Sequence, residues 1–544
     1  MRLHLSSPVR YALLVLLLVG VALLQLRVHP TVTPDLRYQI ASAQALAHGE
    51  GYVTWLLADG DLSQPAPQPN ALWPAGYSLI LAVPLVLGLS LEWAEPLVRA
   101  LGILLALVAW LRLLALLRPT LPPYTTTLLL LYASLVFNPL WIASPSEVYL
   151  IASLSWATVA GAQWALHSAS STCWRWALAA GLLLSLSVWF KHVGYALLPI
   201  PVVLWGWAVW RKWLPLREWP QLVISILGML LGVCAIQLYD LWRGAAGGYT
   251  ESSFAGVTEP CYSFLFSAVS PARVLSVSGF SQVSMVSPLL STALGWMLAV
   301  GLGLALARAA ARRSASNASA LPAVSAAALV VTFCTFALLA YLSVRYCYWL
   351  GVGSYLSNLS YYYSTFFLLL LAICAFVAEA WQRGHRWFRL AGVSLAIFLG
   401  LLAVLNLRVW VRAILSPPTD SSSISILHQP LYRELLRLHP ARAEAGFHSH
   451  PTVIARSDFY ELGHAALAGY TVFRGPIEQL KISNADMAYS QEFTLVTNAD
   501  DATADSLLLT RHLATLGYVA RVRPLSVVEQ HRIYSVSPHP AAPH

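Results

Sequence analysis

Trp73-Pro74-Ala75-Gly76-Tyr77 leads into the apolar run Ser78-Leu79-Ile80-Leu81-Ala82-Val83-Pro84-Leu85-Val86-Leu87-Gly88-Leu89, and the reading of that run sets the topology of the whole chain. A full membrane crossing needs about 20 apolar residues, and this run is shorter. Counted as a crossing, it would put Arg112 and Arg118 on the outer face, against the rule that basic residues between spans stay in the cytoplasm. Read as a segment that lies along the interface or re-enters, it brings the later basic clusters onto one side. These are Arg112 and Arg118, Arg175, Arg211 with Lys212 and Arg217, Arg308 with Arg312 and Arg313, and Arg383 with Arg386 and Arg389.

Composition supports a membrane reading. Apolar residues make up 58% of the chain and charged residues 10%, with a mean hydropathy of +0.64. A water-soluble globule needs far more surface charge than that. The net charge of +9 resides largely in short clusters between apolar runs, where it reports orientation, so nucleic acid is not an expected partner. Spans are expected near 97–117, 124–143, 147–167, 174–190, 195–211, 220–240, 288–308, 322–343, 361–380 and 389–411. With the N-terminal run Tyr11 to Leu26, which lacks a small-residue cleavage site and reads as an uncleaved anchor, the total is about eleven. Arg2 and Arg10 before that run place the N-terminus in the cytoplasm, and an odd number of spans then puts residues 412–544 outside.

Between the anchor and the first long span lies an outer loop, 28–96. Thr33 is a cap residue, Pro34 suits the first helical position, and His48-Gly49 ends the run, so residues 34–48 form a short helix. Leu36, Ile40, Ala43 and Ala47 share one face, which places this helix on the membrane interface beside the second, 78–89, segment. The fold expected is therefore a polytopic α-helical membrane module over 1–411, with two interfacial helices in its first outer loop and a C-terminal extracytoplasmic α/β domain over 412–544. In that tail, 451–456, 470–473, 493–497, 518–523 and 533–536 read as strands, and 503–516 has helical spacing.

The candidate chemistry gathers on the outer face. Asp35, in the first turn of its helix, is favoured as the anion; it either takes a proton from an incoming hydroxyl or amine or is a helix N-terminal carboxylate with no other role. Glu147 begins a span on the same face, and the two carboxylates could form an acceptor or a divalent metal site; no metal ligand set or other cofactor is assigned. Lys191-His192, Arg273 and Arg345 sit in or beside outer loops. They suit a phosphate, or they snorkel to lipid headgroups. Tyr346 to Trp349 and Tyr361-Tyr362-Tyr363 either stack on a sugar or lipid or form an interfacial belt. Cys261 and Cys347 both map outside, where pairing is open to them.

These features resemble the GT-C superfamily of membrane glycosyltransferases, in particular the bacterial, family 39-like relatives of protein O-mannosyltransferases and of the lipid A aminoarabinose transferase. The likeness is carried by Pro34-Asp35 with Tyr38, by Ala47-His48-Gly49-Glu50-Gly51-Tyr52, and by Trp73-Pro74-Ala75-Gly76-Tyr77. Ser146-Glu147-Val148-Tyr149, Phe190-Lys191-His192-Val193-Gly194 and the tail's Val453 to Ser457 extend it. The resemblance implies a polyprenyl-phosphate-linked sugar as donor and a glycan, lipid or protein acceptor at the outer face of a bacterial inner membrane. It implies Asp35 as the catalytic carboxylate and Lys191, His192, Arg273 and Arg345 as phosphate ligands. Glu147 falls on the acceptor side, with Arg37, Tyr38 and Tyr361 supporting. Arg37 and Tyr38 stand one residue nearer the acid than in the aminoarabinose transferases, and Ser360 precedes Tyr361 where many relatives have Arg. The alternatives are a transporter or flippase of lipid-linked saccharides, and a non-catalytic subunit of an envelope assembly.

Overall fold

His48 and Gly49 stop the first helix, as the sequence leads one to expect. Helix α1, Pro34–Ala47, ends where the Gly49 N–H bonds to Leu46 O and the Glu50 N–H to Ala45 O. Gly49 supplies the left-handed residue that this closure requires, at φ +82°. The computed structural model describes residues 34–54, 61–62, 68–69, 73–117, 145–167, 170–210, 218–242, 429–438, 451–454, 470–473, 477–483 and 492–541, with scattered positions in 12–27 and 386–415. The chain divides into two compact units. One holds Met1–Val28, Pro96–Tyr239 and Tyr249–Ser416, the other His29–Glu95, Asp240–Gly248 and Pro417–His544. The second unit thus joins the first outer loop to the C-terminal tail, whereas the sequence divides at 411/412.

The first unit is helical. Backbone at 12, 15–16, 19–20 and 23–24 is helical within the N-terminal apolar run. Its longer elements are α3 (Leu91–Leu117, in this unit from Pro96 onward), α4 (Pro145–Leu166), α5 (Cys173–Phe190), α6 (Ile200–Trp210) and α7 (Trp219–Trp242). Directions follow from the contacts. The Tyr149 hydroxyl donates to Val98 O at 2.6 Å and the Trp156 indole N–H to Leu105 O at 3.0 Å, so α3 and α4 run parallel. Tyr149 stacks on Phe190 at 5.1 Å, while Trp164 lies in one buried cluster with Cys173, so α4 and α5 form an antiparallel hairpin.

Helices α5 and α7 also run parallel, and they approach closely because their contact is lined by small residues. A Cβ added to Gly181 would lie 1.9 Å from Ser225 O, one on Gly228 2.9 Å from Leu178 O, and one on Gly232 1.9 Å from Ser185 Oγ. In hydrocarbon, where lipid competes equally for apolar contact, this small-residue packing is what holds helices together. At one end the buried Gln221 amide ties three helices, its Oε1 accepting from Trp164 Nε1 at 2.8 Å and from Cys173 Sγ at 3.0 Å. The outward side of α7 exposes Leu227, Leu230, Leu231, Leu238 and Leu241, a surface suited to lipid.

Among the described residues three helices, Leu91–Leu113, Cys173–Phe190 and Trp219–Trp242, are long and apolar enough to cross a membrane. The expected span 195–211 is divided: residues His192–Leu197 form a 3₁₀ helix, and α6 begins only at Ile200. Pro199 and Pro201 lack the N–H that a continuous helix would need there, and α6 alone is about 16 Å long. The expected spans 124–143, 288–308, 322–343 and 361–380 lie outside the described residues, as do Cys261 and Cys347.

In the second unit, α1 packs on α2 (Gly76–Val86), and the strand pair β1 (Val53–Thr54) and β2 (Gln68–Pro69) closes the loop between them. Helix α1 is buried well beyond one stripe: Leu36, Arg37, Tyr38, Gln39 and Ile40 are each at most 4% exposed. Protein therefore covers adjoining faces of this helix and more than its one apolar stripe.

The tail forms a five-stranded mixed sheet from β3 (Pro451–Ile454), β4 (Thr471–Phe473), β5 (Phe493–Asn498), β6 (Tyr518–Val528) and β7 (His531–Pro540), in the order β4-β3-β5-β7-β6. β4, β3 and β5 are parallel, and β7 and β6 add antiparallel. Helix α8 (Pro430–Leu438), unmarked in the sequence reading, docks where the Tyr470 hydroxyl donates to Leu435 O at 2.7 Å. The core beneath α9 (Ala502–Thr515) includes Phe473, Leu480, Phe493, Leu495, Leu509, Leu513, Val536 and, from the first loop, Leu62.

Candidate functional site

Asp35 occupies the first turn of α1, the position that the sequence assigns to it. The motifs on either side of it converge on that helix. Tyr38 stacks on Trp73 with ring centres 5.3 Å apart and planes within 13°. The Tyr52 hydroxyl donates to Trp73 O at 3.0 Å and to Pro74 O at 3.2 Å. Ser42 Oγ donates to Val53 O at 2.9 Å, and Ser78 Oγ to Gln39 O at 2.8 Å. The Trp73-Pro74-Ala75-Gly76-Tyr77 stretch is thus a clamp: one aromatic stack and two backbone acceptors set the pose of the helix that carries the acid.

Glu147 and Lys191 come together in the first unit. Lys191 Nζ lies 2.5 Å from Glu147 Oε1, with side chains 18% and 6% exposed. Local structure explains the meeting. Glu147 sits in the first turn of α4, whose partial positive charge favours a carboxylate. Lys191 follows the last residue of α5 in extended backbone, φ −157°, and the next turn folds back on it as the Gly194 N–H bonds to Lys191 O at 2.8 Å. Gly194 is required there, because a Cβ would lie 2.5 Å from the Ser187 carbonyl carbon and the Val188 nitrogen. The hairpin of α4 and α5 then brings the start of one helix to the end of the other.

Further polar groups crowd the same end. Tyr195 in the 3₁₀ turn accepts from Gln237 Nε2 at 2.6 Å, and Val98 O receives the Tyr149 hydroxyl. Arg99, next in sequence to Val98, is 1% exposed. Among the described residues the opposite end carries Arg112, late in α3, and Arg175, early in α5.

Sequence reading passed over Glu95 and Arg99, both 1% exposed on α3, and gave Arg37, also 1% exposed, only a supporting place. A signal was present: Glu95 and Arg99 are four apart at the head of an apolar helix, and buried ionisable groups in such helices mark function by default. His192 opens the 3₁₀ turn. Arg273, Arg345 and Tyr361 lie outside the described residues. Among the described residues no group of three or more His, Cys, Asp or Glu could hold a metal ion.

No protein-family model and no curated protein matches the chain. Solved structures do. ArnT from Cupriavidus metallidurans bound to undecaprenyl phosphate is 13% identical, covering 97% of this chain and 98% of that one at a TM-score of 0.47. Its apo state is 14% identical over the same shares at 0.48. The apo oligosaccharyltransferase of Archaeoglobus fulgidus is 12% identical, covering 94% of this chain and 73% of that one at 0.46. The chain is similar to these solved structures along nearly its whole length. At such identities and TM-scores the likeness carries no argument about activity, and the chemistry of this chain rests on its own residues.

Proposed function

We propose that this protein is a membrane glycosyltransferase that moves one sugar from a polyprenyl-phosphate donor to an extracytoplasmic acceptor, a glycan, lipid or protein. Asp35 takes the proton of the acceptor hydroxyl or amine. The freed nucleophile attacks the anomeric carbon from the face opposite the phosphate, the bond from that carbon to the phosphate oxygen breaks, and the electron pair leaves with the phosphate. Configuration at the sugar carbon inverts. Lys191, with His192, Arg273 and Arg345, stabilises the charge that builds on the departing phosphate.

The observation that carries this reading is the charged end of the first unit. Arg99, Glu147 and Lys191, none with a side chain more than 18% exposed, gather where α3 and α4 begin and α5 ends. Charge buried away from water is costly and is kept where an ion is handled. A lipid-linked donor suits such a site, since its phosphate stays at the interface while its chain stays in the bilayer. Glu147 holds Lys191 ready and exchanges it to the phosphate when donor arrives. The test is reconstitution of purified protein with radiolabelled polyprenyl-phosphate sugars and an acceptor-containing membrane extract. Transfer is expected with wild type and not with Asp35→Asn, and NMR of the product linkage should show inversion. Undiminished transfer by Asp35→Asn, or retention, would exclude this mechanism.

A further inference from the structure

We infer that Asp61 and Leu62 are positioning residues for the transfer reaction: they latch the loop that carries Asp35 onto the C-terminal sheet, so that the tail sets the pose of that carboxylate. The inference deepens the proposed function and rests on it for its link to catalysis; the latch itself rests on contacts alone. Two consecutive residues of a polar, proline-rich loop make three kinds of contact with a segment 422 residues away. Asp61 forms a parallel β-bridge with Lys481, and its carboxylate accepts both the Ser483 N–H, at 3.2 Å, and the Ser483 hydroxyl. The Leu62 N–H donates to Lys481 O at 2.9 Å. The Leu62 side chain, 4% exposed, is part of the tail's own core beside Leu480 and Phe493.

Loop tips ordinarily stay in solvent, and an inserted leucine gives this one a reason to stay put. The strand pair that flanks the latch is tied in turn to α1. Pairing of Val53 with Pro69 and of Thr54 with Gln68 joins the two ends of the loop that holds 61–62. Val53 O holds Ser42 of α1, Tyr52 holds Trp73, and Trp73 stacks on Tyr38, three residues after Asp35. On the tail side, Leu480 O accepts from His512 Nε2 at 2.8 Å, which fixes the receiving segment to α9. Neither Asp61 nor Leu62 touches substrate in this scheme; both act through α1.

The test uses the full-length protein reconstituted in lipid, as wild type, Asp61→Ala, Asp61→Asn and Leu62→Asp. Hydrogen exchange is followed in 34–47 and in 493–498, and sugar transfer is measured alongside. Leu62→Asp and Asp61→Ala should raise exchange in 34–47 by about tenfold and leave 493–498 unchanged. They should also lower kcat by about 100-fold, because misplacement of the acid by an ångström is enough, with the donor KM within about twofold of wild type. Asp61→Asn keeps an acceptor for Ser483 and should recover most of kcat. Exchange in 34–47 that ignores Leu62→Asp would overturn the latch, and equal acceleration in 493–498 would too, since Leu62 would then only complete the tail's core. If exchange responds as expected but wild type transfers no sugar, the latch stands and the glycosyltransferase reading fails.

Discussion

Removing Glu147 should cost far more than removing Glu147 and Lys191 together. Their charged atoms are 2.5 Å apart and the side chains 6% and 18% exposed. At an effective dielectric near 20 the gross attraction is about 7 kcal/mol, and it is largely consumed by desolvating two ions at several kcal/mol each. The net value of the pair is therefore small. Truncating one partner is different, because a nearly buried charge remains without its counterion, at about 3–5 kcal/mol. Glu147→Gln is accordingly expected to destabilise the chain by about 3 kcal/mol, and the same substitution combined with Lys191→Met by about 1 kcal/mol, a coupling near 2 kcal/mol or more once Lys191→Met alone is included. Reversible unfolding of the four proteins in detergent, read by intrinsic fluorescence, measures the cycle. A coupling below about 0.5 kcal/mol is what a solvated surface pair gives, and it would refute the claim that the pair is held away from water.

Lys191→Ala should raise the donor concentration needed for half-maximal binding by at least about tenfold, the loss of a charge-assisted phosphate contact, while acceptor affinity stays put; isothermal titration with each ligand checks both. Gly232→Val should destabilise the helical unit by about 1–3 kcal/mol through overpacking against Ser185, and Ser185→Gly should restore part of it in the same unfolding assay. In the tail, the Arg437 guanidinium bonded to Glu434 holds that carboxyl down at about 2, below its ordinary 4.5. Because the folded state depresses the value, the contribution is present above pH 4.5 and is lost as pH falls through about 2. Hydrogen exchange of 430–438 should rise over that window in wild type, whereas Glu434→Gln should show little change there.

The tail was legible because its signals are local. The runs at 451–456, 470–473, 493–497, 518–523 and 533–536 became β3, β4, β5, β6 and β7, and Leu509 and Leu513 of 503–516 lie on the buried face of α9. Helix boundaries at Pro34, Ala47 and Phe190 likewise follow from proline, glycine and the end of an apolar run, all of which act within one turn. Reading 78–89 as something other than a crossing was equally a matter of local length against bilayer thickness, and it yields an 11-residue helix. Helix α8 could have been read from Leu431, Tyr432, Leu435, Leu436 and Leu438, which follow helical spacing within a nine-residue segment. The division of 195–211 could have been read from Pro199 and Pro201.

Hydropathy and charge by themselves determined that the chain is a membrane protein and which acid follows the first apolar run. Those properties depend on composition and on period along a single segment. Only the tertiary structure decided that Glu147 neutralises Lys191, that Arg37, Glu95 and Arg99 are buried, and that Leu62 belongs to the core of a domain hundreds of residues later. Those outcomes depend on which helix ends meet and which backbone groups find partners, and such pairings between distant segments leave no mark in the pattern of either segment alone.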